Sequence, residues 1–160
     1  MSDFSFLKKY ILPSESHQAP GQKHKFYSLN ESEIQKAEKR MNREFPKELK
    51  EFFQQIGYGF MCKDGENYHT NRMMDPHSIA DLVLGEDIYQ DYYLIDEIEE
   101  NPHLFPFFEV GNDDFIFLDV SQGNQGICPV IYVETQIADS LEEFVRKLDA
   151  QRNYYLDFLD

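Results

Sequence analysis

The side chains that ordinarily carry chemistry are present, but their spacing does not suit it. The five histidines are His17, His24, His69, His77 and His103. No two of them stand three to five residues apart, the spacing that places metal-binding imidazoles side by side. His69, His77, Cys62 and an acid could reach a zinc ion only if tertiary folding gathered them. Cys62 and Cys128 are each flanked by strand-forming residues, where a small buried hydrophobe is expected rather than a nucleophile. Asp113, Asp114 and Asp119 lack the alternating Asp-x-Asp-x-Asp-Gly order of a calcium loop and read as a hairpin turn and a strand end. The glycines are too scattered for a Walker or Rossmann phosphate loop, and there is no Gly-x-Ser-x-Gly elbow. Nothing among the thirty acids singles out a pair for general acid–base work. These residues predict a protein that is not an enzyme and has no cofactor or metal.

Charge, by contrast, is laid out with a strong bias. The 160 residues include thirty Asp and Glu against fifteen Lys and Arg, a net charge of −15. Residues 1–72 hold twelve bases and ten acids, and the last fifteen residues hold three of each. Between Met73 and Val145 there are seventeen acids and no Lys or Arg. A surface built from that stretch repels nucleic acid and anionic lipid, and its natural complement is a basic surface on another protein. High net charge also serves simply to limit self-association, and it fixes no oligomeric state.

Asp96, Glu97, Glu99 and Glu100 close a tyrosine-rich helical segment. Acids near a helix C-terminus oppose the helix dipole at a cost of a few tenths of a kcal/mol to ~1 kcal/mol each. They form either a solvated face or a contact for a basic partner. Tyr89, Tyr92, Tyr93, Phe105, Phe107 and Phe108 follow one another closely. Most must be core, and some of the tyrosines suit an interface. The candidate partner-binding residues are therefore Tyr92, Tyr93, Asp96, Glu97, Glu99, Glu100, Asp113 and Asp114.

The elements that must position them can be read from periodicity. Phe4, Leu7 and Ile11 recur at helical spacing, and the polar stretch from Pro13 to Lys25 follows as a loop. Asn30 with Glu33 forms a capping box before the stripe Ile34, Ala37 and Met41. Pro46 opens a helix with Leu49, Phe52, Phe53 and Ile56 inward, and Gly57 ends it. Lys63-Asp64-Gly65-Glu66 predicts a hairpin between strands near 58–62 and 68–74. Asp75-Pro76 caps a brief helix, and a helical segment covers about 88–98. Strands at 107–110, 115–119 and 130–134 precede a final helix capped by Ser140 and Glu143, which extends toward Leu159. This order predicts one α+β domain with a largely antiparallel sheet.

The longest apolar run, Ile127 to Val133, is far short of the ~20 residues of a membrane span. At the N-terminus, Asp3 precedes the apolar residues while Lys8 and Lys9 follow them, reversing a secretory signal. The expected location is the cytoplasm, with both cysteines reduced.

Two blocks carry a resemblance. The first runs from Leu29 to Gly59, LNESEIQKAEKRMNREFPKELKEFFQQIGYG. The second, from Leu104 to Leu148, holds Phe105-Pro106-Phe107-Phe108, Val110-Gly111-Asn112-Asp113, Leu118-Asp119, Pro129-Val130 and the run Ile137 to Phe144. Their order and spacing resemble the SUKH superfamily, which takes in fungal cell-wall assembly regulators and many bacterial immunity proteins. The chain departs from it in having no tryptophan and in carrying Gly57-Tyr58-Gly59 where Asn-Gly-Gly is common. The resemblance implies a SUKH-like domain over 27–160 behind an extension of 26 residues, a short helix plus a polar loop. It also implies a non-enzymatic module that neutralises a cognate toxin domain, often a nuclease. An intracellular regulator or scaffold with an endogenous partner is the alternative.

Overall fold

The computed structural model describes residues 1–90, 94–111 and 113–159, with the side chains of Leu94 and Ile95 left aside. Its eight strands are β1 (Ile11–Leu12), β2 (Lys25–Tyr27), β3 (Tyr58–Phe60), β4 (Arg72–Met73), β5 (Leu104–Gly111), β6 (Asp114–Asp119), β7 (Val130–Tyr132) and β8 (Thr135–Ala138). They lie in one sheet in chain order; β1 and β2 run parallel and every later pairing is antiparallel. Five α-helices accompany the sheet among the described residues: α1 (Glu31–Met41), α2 (Lys47–Gln55), α3 (Pro76–Leu84), α4 (Leu94–Glu100) and α5 (Leu141–Ala150). The α+β class and the largely antiparallel sheet are as the sequence predicts.

Local chemistry sets most helix ends. The Asn30 N–H donates to Glu33 Oε2 at 3.1 Å ahead of α1, and Asn42 takes a left-handed conformation after it. Asp75 accepts from the Ser78 N–H at the start of α3, and Ser140 accepts from the Glu143 N–H at the start of α5. The core is dominated by edge-to-face aromatic pairs. Phe52 of α2 meets Phe4 and Phe26, and Phe144 of α5 meets Phe107 and Phe108 of β5.

Five expectations change. The first helix is a 3-10 turn over Ser5–Tyr10, because Ile11 leaves it to pair with Phe26. The strands around Lys63-Asp64-Gly65-Glu66 are shorter than predicted, so their connection is a long loop in which Cys62 and Asn71 take positive φ. Of the helical segment expected at 88–98, the described residues form a 3-10 turn at Asp87–Tyr89 and α4 from Leu94, and 91–93 lie outside them. The strand predicted over 130–134 stops at Tyr132. Val133 and Glu134 turn at φ 47° and 64° and return as β8, an element the sequence reading lacked. The last helix ends at Ala150, and a 3-10 turn over Tyr154–Phe158 follows.

Two buried polar groups tie distant parts of the chain. Glu48, 2% exposed on α2, accepts from Ser2 Oγ at 2.7 Å, the Leu141 N–H at 2.6 Å and the Glu142 N–H at 3.2 Å. It thereby anchors the N-terminus and caps α5 from a different helix. Gln55 secures the same segment, accepting from the Phe4 N–H and donating to the Ser2 carbonyl, both at 2.9 Å. The first 26 residues thus contribute β1, the start of β2 and the fully buried side chains of Phe4, Leu7 and Phe26 to the same sheet and core.

His24 has no exposed surface. Its Nδ1 accepts from the Cys62 N–H at 3.0 Å, so Nε2 carries the proton and donates to Asp149 Oδ1 at 2.7 Å. Burial lowers the imidazole pKa below its ordinary 6.5, with Asp149 opposing only in part. Burial also acts to raise the Asp149 pKa, but the His24 and Lys23 hydrogen bonds outweigh it and hold that carboxyl below its ordinary 3.8.

Two outcomes follow from these groups. Glu48→Gln places an amide where both oxygens now accept, leaving a buried N–H opposed, and chemical denaturation should register a loss of about 1–3 kcal/mol. For His24, a lowered folded-state pKa means stability that is present above pH 6.5 and lost as pH falls through the folded value. Thermal melts should therefore fall between pH 7.5 and 5. His24→Gln should be less stable at pH 7.5 but flatter across that window.

Candidate protein-binding surface

α4 presents Asp96, Glu97, Glu99 and Glu100 to solvent and turns Ile98 into the core. None of the four acids has an ion-pair partner among the described residues. The Asn101 side-chain amide donates to the Glu97 carbonyl at 2.8 Å and relieves one free acceptor at the helix end.

Many cations of the molecule are already engaged elsewhere. Arg40 meets Asp81 at 2.7 Å, Lys50 meets Glu38 at 2.9 Å and Arg72 meets Asp75 at 3.3 Å. Lys23 meets Asp149 at 3.1 Å, and Arg152 meets Asp64 at 2.6 Å. On α5, Arg146 and Lys147 pair with Glu142 and Glu143, each at 2.9 Å. Arg43 comes near the end of α4, donating to the Pro102 carbonyl at 3.4 Å and lying over the Phe105 ring, but it forms no ion pair with the four acids.

The other predicted contacts lie elsewhere. Asp113 and Asp114 stand at the turn between β5 and β6, while α4 joins β5 at its opposite end, where Leu104 pairs with Asp119. Eight residues of extended strand put roughly 24 Å between those ends. Asp114 also accepts a hydrogen bond from the Tyr132 hydroxyl, so part of its carboxylate serves the fold. Tyr92 and Tyr93 lie outside the described residues.

A further acid joins the far group. Phe117 pairs with Ile131 and Leu118 with Val130, and that register carries the Val133–Glu134 turn alongside Asp113 and Asp114. Glu134 therefore extends this second acidic group. Its only sequence signal was the strand pairing, which the sequence does not display.

The residues considered for chemistry are dispersed. Asp119 accepts from both the N–H and the hydroxyl of Ser121, capping the 3-10 turn Val120–Gln122. His77 is exposed on α3 beside Asp81 and Arg40, His69 packs its ring on Tyr155, and Cys62 is buried against Leu148. Among the described residues, no group of three His, Cys, Asp or Glu side chains is placed to hold a metal ion. Burial pushes the Cys62 thiol up to about 11 and raises Cys128 as well, so both are protonated near neutrality. A cleft of about 390 Å³ between α1 and α3 holds Lys36, Arg40, Tyr58, Asp75 and His77, in which Arg40 is taken up by Asp81 and His77.

The family model described as SMI1-KNR4 cell-wall, SUKH_6, matches residues 31–145, from the first residue of α1 into α5. The chain belongs to the SUKH superfamily. It is also similar to Immunity protein YxxD of Bacillus subtilis (strain 168), 38% identical over 138 residues that cover 84% of this chain and 90% of that protein. The matched span contains α4, both acidic turns and Glu48. It excludes Ser2, Phe4 and Leu7, which dock against the matched portion.

With both thiols buried and protonated, the native SUKH chain should resist iodoacetamide at pH 7.5. Mass spectrometry should find Cys62 and Cys128 alkylated only after unfolding, at a rate set by the unfolding equilibrium.

Proposed function

We propose that this protein is a cytoplasmic immunity protein that binds and neutralises a cognate toxin, a nuclease being the toxin class that best fits its charge. The observation that carries this reading is the set of four exposed, unpaired carboxylates on α4, in a chain 38% identical to a protein named for immunity. A nuclease presents a basic surface to phosphates. An acidic protein covers such a surface without needing any catalytic group of its own. Complementary fields also raise association rates, toward ~10⁸ M⁻¹s⁻¹ at low salt, which suits an inhibitor that must act before its target is damaged.

The turn carrying Asp113, Asp114 and Glu134 is the second acidic contact. Its separation from α4, roughly 24 Å, lies within the breadth of a standard interface burying about 800 Å² on each partner. Tyr92 and Tyr93 adjoin α4 in sequence and supply the aromatic part of the contact. The second reading, a regulator or scaffold for an endogenous partner, is favoured by the cell-wall description of the matching family. Co-expression with a domain encoded by the neighbouring gene, first tested for toxicity on its own, separates the two. Immunity requires a complex and restored growth, whereas a scaffold gives neither.

Reversing Asp96, Glu97, Glu99 and Glu100 to Lys should slow association with that domain by about tenfold or more at low salt. It should also flatten the dependence of the rate on salt while leaving the melting curve close to that of the parent. Stopped-flow kinetics at several salt concentrations measure this, and an unchanged rate would remove α4 from the contact.

A further inference from the structure

The acidic helix covers a small apolar cleft of about 30 Å³, lined by Ile98, Leu104 and Phe117, with Glu97 and Asn101 beside them. We propose that this cleft is a socket for the aliphatic stem of one lysine or arginine side chain of the basic partner, whose charged head is held by Glu97 and Glu100. The proposal rests on the toxin-binding reading and names the side chain that anchors it.

Size, lining and charge each support that occupant. A water needs about 10–15 Å³, so the cleft has room for a couple of methylenes and none for an aromatic ring. Its Ile, Leu and Phe walls give water few hydrogen bonds and favour apolar atoms. A bare cation inside would lose hydration with nothing to replace it. A long cationic side chain avoids that cost by laying its stem on apolar surface and keeping its head outside.

The rim is prepared for such a head. Glu97 and Glu100 are three residues apart on α4, so they are neighbours on the helix surface. Like charges that neighbour on a helix surface repel. Both are exposed and neither has an ion-pair partner among the described residues, so a cation seated between them relieves the repulsion. Asn101 ties its amide to the Glu97 carbonyl and fixes the helix end at the cleft.

Long-range field and socket then have separable roles. The summed charge governs how fast the partner arrives, and the seated side chain governs how long it stays. The test uses the full chain against that neighbouring-gene domain, once its toxicity is established, with association and dissociation rates measured at about 50 mM and 500 mM salt. Leu104→Phe fills the cleft without changing charge. It should raise the dissociation rate by about tenfold at both salt concentrations while leaving association close to that of the parent. Glu97→Gln, a change at an exposed position, should also speed dissociation, more strongly at low salt. A melting curve accompanies each variant, and if Leu104→Phe melts lower, Glu97→Gln alone decides. A parent complex whose dissociation is unaltered by the deciding variants overturns the socket and leaves the toxin-binding reading standing. Absence of any complex with the parent protein overturns both.

Discussion

A buried carboxylate must be compensated or it destabilises the fold, and Glu48 meets that condition with three donors from two distant parts of the chain. Its helix, α2, lies early in sequence. Its partners are the N-terminal Ser2 and the first amides of α5, some 93 residues later. One side chain therefore fixes where the chain begins and where its last helix starts. α5 in turn lays Phe144 on Phe107 and Phe108, which holds the β5–β6 hairpin from beneath. The two acidic groups stand at the ends of that hairpin. Their relative placement thus depends on an interaction that involves neither of them.

The distribution of ion pairs complements this arrangement. Arg40, Lys50 and Arg72 are each matched by acids within the fold, whereas the charged residues of α4 are all acids and face solvent. Exposed pairs such as Arg146–Glu142 and Lys147–Glu143 add little stability, a median near 0–1 kcal/mol, so their main effect is on the external field. Pairing cancels charge at those positions and leaves the four acids of α4 without an ion-pair partner among the described residues. Unpaired acids on an exposed helix suit the proposed binding of a basic protein.

Local signals were legible and non-local ones were not. Asn30 with Glu33 and Ser140 with Glu143 announced helix starts because capping spans three residues. The second cap on α5, Glu48, was invisible because it arrives from a different helix. β8 was missed because Val133-Glu134 makes its turn without the Asn or Gly that such turns favour. The first helix was misread because pairing with Phe26 draws Ile11 out of the helical pattern. As for the surface, the run from Asp96 to Glu100 could be read as a cluster. That Asp113 and Asp114 lie at the far end of the same hairpin, with Glu134 beside them, depends on strand register, which composition does not encode.

The central claim is that the partner is received on the acidic groups at the two ends of the β5–β6 hairpin and not in the cleft between α1 and α3. Hydrogen–deuterium exchange on the purified complex tests it most directly. Backbone amides of residues 94–104 and of the 111–114 and 133–134 turns should gain protection on binding, while those of 25–27 and 58–60 stay unchanged. Protection confined to α1, α3 and the adjoining strands, with α4 exchanging as in the free protein, would contradict it.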